Sequence, residues 1–163
     1  MKLFRFIILL TLCLSLCACS SYKKSTSEIL DRMLSEFSDI PKGTIYYKNA
    51  TEDQEGYLSP FLAEALYGTS AEECFTLMED YSIYLSSFAT PYEIAVFRCY
   101  SATDAVRLEQ LCRERADIVS VALRYTDFYK LCQSIRIVRE GDTVVFAMTD
   151  DPSRAERLIK KLI

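Results

Sequence analysis

Tyr92-Glu93-Ile94-Ala95-Val96-Phe97-Arg98-Cys99-Tyr100 reads as a β-strand with Ile94, Val96 and Phe97 at its apolar centre. Successive side chains of a strand point to opposite faces, so Ile94 and Val96 share one side and Ala95 and Phe97 the other. Both sides are apolar. The same holds for Val144 and Phe146 against Val145 and Ala147, within a second strand segment, Thr143 to Thr149. A sheet apolar on both faces needs cover on both. If left bare, the uncovered face would be a patch large enough to mark a partner site.

Moving outward, Tyr81 to Phe88 is strand-like and Ala89-Thr90-Pro91 is a turn. After Tyr100, Ser101 to Asp104 supplies caps for the longest helix. Its stripe is Ala105, Leu108, Leu111, Cys112, Ala116, Val119 and Ala122, and it is expected to reach about Leu131 with a break near Thr126. Ser134 to Glu140 pairs with Thr143 to Thr149 across Gly141-Asp142, and Asp151-Pro152 opens a last helix carrying Ala155, Leu158, Ile159 and Leu162. Strand, turn, strand, helix thus occurs at 80–112 and again at 134–162, with Val96-Phe97 matching Val145-Phe146 in a weak internal echo. This ββαββα order predicts an α+β fold, an antiparallel sheet with helices packed on it. The long and terminal helices are expected on one face. The helix of Ile29 to Phe37, or the Ser59–Gly68 segment, is expected on the other face or its edge.

The earlier part of the chain is an N-terminal helical extension. Ser25 and Glu28 have the spacing of a capping box, followed by Ile29, Leu30, Met33, Leu34 and Phe37 at helical spacing. Thr44 to Lys48 reads as a short strand and Ala50 to Gly56 as a polar loop. Ser59-Pro60 and Gly68 bracket a short helix, and Ala71 to Met78 adds a turn or two.

Composition limits the chemistry. The 163 residues include 7 cysteines, 11 tyrosines and 4 glycines but no histidine and no tryptophan, and the formal net charge is −4. Without histidine there is no Ser-His-Asp or Cys-His catalysis and no imidazole metal site. The acid excess argues against nucleic acid as a partner, and no glycine spacing fits a phosphate loop. No cofactor is expected.

Lys2 and Arg5 form a positive n-region, and Phe6 to Ala18, about 13 residues, is almost wholly apolar. A membrane span needs ~20, so this stretch reads as a secretory signal. It ends in Leu16-Cys17-Ala18-Cys19, which resembles the lipobox of bacterial lipoproteins. The resemblance implies cleavage before Cys19 and a diacylglycerol on its sulfur. The expected division is therefore a signal peptide at 1–18, a lipidated tether at 19–26 and a single α+β domain at 27–163. The mature chain would keep 17 basic and 23 acidic residues, because only Lys2 and Arg5 are removed, for a net charge of −6. The two acyl chains would hold it stably on the outer face of the cell membrane. Lys23 and Lys24 in the tether lie within reach of anionic headgroups.

The segments Glu79-Asp80-Tyr81-Ser82-Ile83-Tyr84, Pro91 to Phe97, and Val144-Val145-Phe146 with the terminal helix to Ile163 carry a further likeness. They resemble a family of small uncharacterised lipoproteins, mainly of Gram-positive, often anaerobic gut bacteria, with a domain of unknown function. The resemblance covers roughly residues 60–163 and implies a compact α+β domain behind a lipobox. It supplies no catalytic residue.

Several clusters are candidates for chemistry. Cys74, Cys99, Cys112 and Cys132 are even in number, which allows two disulfides outside the membrane, but they lack metal spacing. Cys99 in a strand and Cys112 on an apolar stripe read as buried free thiols. Glu52, Asp53 and Glu55 read as a solvated loop, and Asp150-Asp151 as a helix cap. Arg154, Arg157, Lys160 and Lys161 suit the C-terminal half of a helix. Tyr81, Tyr84, Tyr92 and Tyr100, beside the expected sheet, are the candidate partner face, since tyrosine offers apolar area plus a hydroxyl. The expectation is a lipid-anchored, non-catalytic module that binds an envelope protein or glycan. An envelope hydrolase and a small-ligand-binding accessory lipoprotein are the alternatives.

Overall fold

The structure, a computed structural model, describes residues 23–37, 39–87 and 90–163. The signal segment, the lipobox and Cys19 lie outside the described residues, as does Ala89 of the expected turn. Helix α1 spans Thr26–Glu36, β1 Gly43–Tyr47, α2 Pro60–Tyr67, α3 Ala71–Thr76, β2 Met78–Ser86 and β3 Glu93–Cys99. Then follow α4 Ala102–Ala122, α5 Tyr129–Gln133, β4 Arg136–Glu140, β5 Thr143–Met148 and α6 Pro152–Leu162.

The fold is α+β. All five strands form one antiparallel sheet in the order β1-β2-β3-β5-β4. The central strand β3 sets Ala95 opposite Ile83 and Phe146, and Val96 opposite Ser82 and Val145. Both of its faces are buried. On the first, Ala95, Phe97 and Phe146 pack with Tyr67 of α2, Cys74 of α3 and Leu108, Leu111 and Cys112 of α4. On the second, Ile94, Val96, Val145 and Ala147 pack with Ile29, Leu30 and Met33 of α1 and Ala155 and Ile159 of α6. Each fully buried large apolar side chain contributes about 1.5–3 kcal/mol. The double-sided pattern of β3 therefore enforces three layers, with helices above and below the sheet.

Cover of the second face by the helix of Ile29 to Phe37 matches the sequence reading, but the terminal helix does not. It packs beside α1, with Arg154 within 3.3 Å of Glu36, and not beside α4. Packing supplies the reason. Helices α2, α3 and α4 already fill the first face, and α1 alone is an 11-residue helix on a five-stranded sheet. The apolar stripe of α6 is buried only by turning to the open side. The Ser59–Gly68 helix accordingly lies on the first face, with Tyr67 in that core.

Local signals explain the helix starts. Ser25 and Glu28 form the reciprocal capping box, and Ser59, Ser101 and Asp151 each accept a backbone N–H at an N-cap. Gly68 ends α2 with φ +83°, a conformation that favours glycine. Helix α4 stops at Ala122, and α5 resumes at Tyr129 on the far side of Thr126.

Of the expected tether, Lys23 to Thr26 lie among the described residues and contact the domain. Thr26 is fully buried, donating its hydroxyl to Asp80 at 2.6 Å and lying 3.0 Å from the Ser82 hydroxyl. The Lys24 carbonyl accepts from Arg98, and Lys23 pairs with Asp142. From Lys23 onward the chain is held against the domain.

Candidate functional site

The four candidate tyrosines do not share a surface. Tyr81 is buried in the first-face core, edge-on to Phe75 with ring centroids 5.3 Å apart. Tyr84 is buried on the second face and donates its hydroxyl to the Pro41 carbonyl. Tyr92 is half-buried and touches both cores. Tyr100 stands exposed beyond β3 with Lys48 Nζ 5.4 Å from its ring centroid. Strand alternation separates 81 from 84, and both sheet faces are covered, so a bare tyrosine-lined face does not exist among the described residues.

All four described cysteines are free and buried. Burial pushes each thiol up, Cys99 to about 12. That is the reverse of the activation a nucleophilic cysteine requires. In the acidic loop, Asp53 accepts from Thr51 at 2.7 Å and Gln54 caps the Thr51 amide at 3.0 Å, which makes a local turn. Asp151 caps α6 by accepting from the Arg154 amide at 2.9 Å. Of the basic residues of α6, Arg154 packs over Phe37 with its guanidinium 5.4 Å from the ring, and Lys160 pairs with Glu156 at 2.6 Å.

One polar cluster was not anticipated. Glu93, at the start of β3, points into the first-face core and is 1% exposed. Arg115 of α4 donates to Glu93 Oε2 through Nε at 2.9 Å and Nη2 at 2.8 Å, while Nη1 reaches the Leu66 carbonyl at 3.0 Å. The buried Tyr67 hydroxyl donates to Glu93 Oε1 at 2.8 Å, and Arg115 lies 5.7 Å from the Tyr67 ring. Burial, then the adjacent Glu93 carboxylate, pushes the Tyr67 phenol well up. Both oxygens of Glu93 are engaged by neighbouring side chains. Two signals could have found it. Glu93 is the charged residue that breaks the apolar side of its strand, and Arg115 follows Cys112 by three on the buried side of α4.

Two open features remain, at opposite ends of the sheet. Asp142 and the β4–β5 turn adjoin Cys99 at the end of β3, with the Cys99 amide 2.9 Å from the Asp142 carbonyl. Lys23 is held there, and with Lys24, Arg98, Asp142 and Lys161 it lines an open cavity of about 450 Å³. Helix α4 starts at this end and runs 21 residues, about 30 Å at 1.5 Å per residue. It passes Glu93 at the sheet's other end and finishes with Val121 exposed, followed by Tyr125 at 92% exposure. A shallow hollow beside it is lined by Phe61, Ala65 and Gly68 of the α2 region, next to the Ile118 side chain. Phe61 is 81% exposed. No helix among the described residues is long and apolar enough to cross a membrane. Comparison with known proteins finds no matching family model, curated protein or solved structure.

Proposed function

We propose that this protein is a lipid-anchored envelope lipoprotein whose α+β domain is a non-catalytic interaction module, held to the outer face of the membrane through Cys19 and presenting its far end to another envelope protein. The n-region, apolar stretch and Leu16-Cys17-Ala18-Cys19 run support the anchor, as does the likeness to small lipoproteins. The observation that carries the module reading is the molecule's polarity. The chain enters at the Lys23 end, while Ile118, Val121 and Tyr125 crowd the other. Single exposed apolar residues are ordinary. Ile118, Val121 and the aromatic Tyr125 at one end of the molecule, with Phe61 in the neighbouring hollow, have the composition of a protein interface core.

Two measurements test this. Mass spectrometry of the membrane fraction should find the mature N-terminal peptide beginning at diacylglyceryl-Cys19, and Cys19→Ala should leave an uncleaved precursor. Normal cleavage and membrane retention in that variant would defeat the anchor. A photo-crosslinking residue at position 125 in intact cells should give a discrete protein adduct that Phe61→Ser weakens, while the same residue at position 42 gives none. Equal or absent adducts at both positions would defeat the module.

A further inference from the structure

The cavity at the anchored end sets four basic side chains, Lys23, Lys24, Arg98 and Lys161, against two acidic ones, Glu140 and Asp142. This local excess sits on a molecule that is acidic overall. The charges are not all used. Lys23 and the Thr143 hydroxyl occupy Asp142, and the Lys24 ammonium donates to the Leu162 carbonyl at 3.1 Å. Lys161 has no ion-pair partner among the described residues. Arg98 donates one Nη2 bond to the Lys24 carbonyl, but its Nε is buried with no hydrogen-bond partner among the described residues. A buried donor left without an acceptor is unfavourable. An arginine lining the cavity beside an unpaired ammonium is suited to a phosphate group.

We propose that this cavity binds the headgroup of an anionic phospholipid in the membrane that carries the protein, an inference that rests on the Cys19 anchor proposed above. Lys23 follows Cys19 by four residues, so the cavity rim is held within ~14 Å of the acylated sulfur. That distance brings it to the headgroup layer. The rest of the lining distinguishes a lipid from a free anion. Ile29, Leu162 and Ile163 share the cavity with the basic groups. A phosphodiester brings a glycerol and acyl stem to cover them, whereas inorganic phosphate leaves them wet. Bound in this way, the domain is fixed in orientation by two points, the acylated cysteine and the cavity, with the end of α4 directed outward.

The test uses mature lipidated protein reconstituted in vesicles of phosphatidylcholine alone or doped with phosphatidylglycerol. Acylation of Lys161 by an amine-reactive reagent is read by mass spectrometry relative to exposed Lys130, and the Cys19 lipid is verified on the same sample. Phosphatidylglycerol should lower the Lys161 to Lys130 ratio about fivefold at low salt, and high salt should restore it. Arg98→Gln should remove the effect. Lys24→Gln, which disturbs only a carbonyl contact, is the second variant and should reduce it. An unchanged ratio in the acylated protein overturns the headgroup site while leaving the anchor standing. Equal protection by inorganic phosphate in phosphatidylcholine vesicles makes it a free-anion site and overturns the lipid assignment. A sample lacking the Cys19 lipid removes the premise and overturns it too.

Discussion

Glu93 and Arg115 show what a single misplaced charge reveals. Removing one partner of a buried ion pair leaves the other uncompensated, which costs about 3–5 kcal/mol, whereas replacing both with apolar groups of similar size is often neutral. Glu93→Met and Arg115→Met should each lower stability by about that much, and the double variant should lose less than either, as read by urea titration. A double variant as weak as the sum of the two would mean that Glu93 and Arg115 are not energetically coupled, against the ion-pair reading. Titration gives two further expectations. Hydrogen bonds from Arg139 at 2.7 Å and Arg113 at 2.5 Å hold the Glu109 carboxyl below its ordinary range. As pH falls the unfolded chain takes up this proton first, so the contribution is present above the unfolded value and lost through the folded one. Glu109→Gln should flatten the acid limb of the melting-temperature profile, at a cost near neutrality of about 0.5 kcal/mol. For Cys99 the sign reverses at the other end of the scale. Burial raises the folded thiol from 9.0 to about 12, so stability is full below the unfolded value and declines as pH rises between them. Alkylation of Cys99 and Cys112 should track global unfolding, and labelling of either under native conditions would contradict their burial.

Among elements, caps and periodicity were legible because they are local. Ser25, Ser59, Ser101 and Asp151 each carry the side-chain oxygen that a helix start needs, and the structure uses all four. Ser25→Ala should cost about 1 kcal/mol in thermal unfolding. The hairpins were legible for the same reason, with Gly141 at φ +56° in the β4–β5 turn. Which face a helix chooses is not local. The stripes of α4 and α6 look alike in sequence, and only the volume already filled by α2, α3 and α4 sends α6 to the second face. The tyrosines misled for a related reason. Their number says nothing about which are taken up by cores, and once both faces are covered, Tyr81 and Tyr84 become packing residues. Exposed Val121 and Tyr125 lie in the stretch read as helix but off its apolar stripe, so periodicity gave no hint of an open surface.

At the scale of the whole molecule, the two cores depend on different parts of the chain. The first unites α2, α3 and α4 around the sheet. The second needs α1 and α6 together, and Ile159→Ala, opening a void in a fully buried position, should cost about 2–5 kcal/mol in urea unfolding. Less than 1 kcal/mol would mean that α6 is loosely attached. The Glu36–Arg154 pair joins residues 118 positions apart. That separation governs the order of events during synthesis. A chain leaving the ribosome delivers α1 early, yet that helix finds its packing neighbour only after residue 159 has emerged. Until then Ile94, Val96, Val145 and Ala147 have half a roof. Contacts so distant in sequence close slowly, and one apolar side of the sheet stays accessible for the whole of that interval. Such an intermediate is what holding chaperones bind.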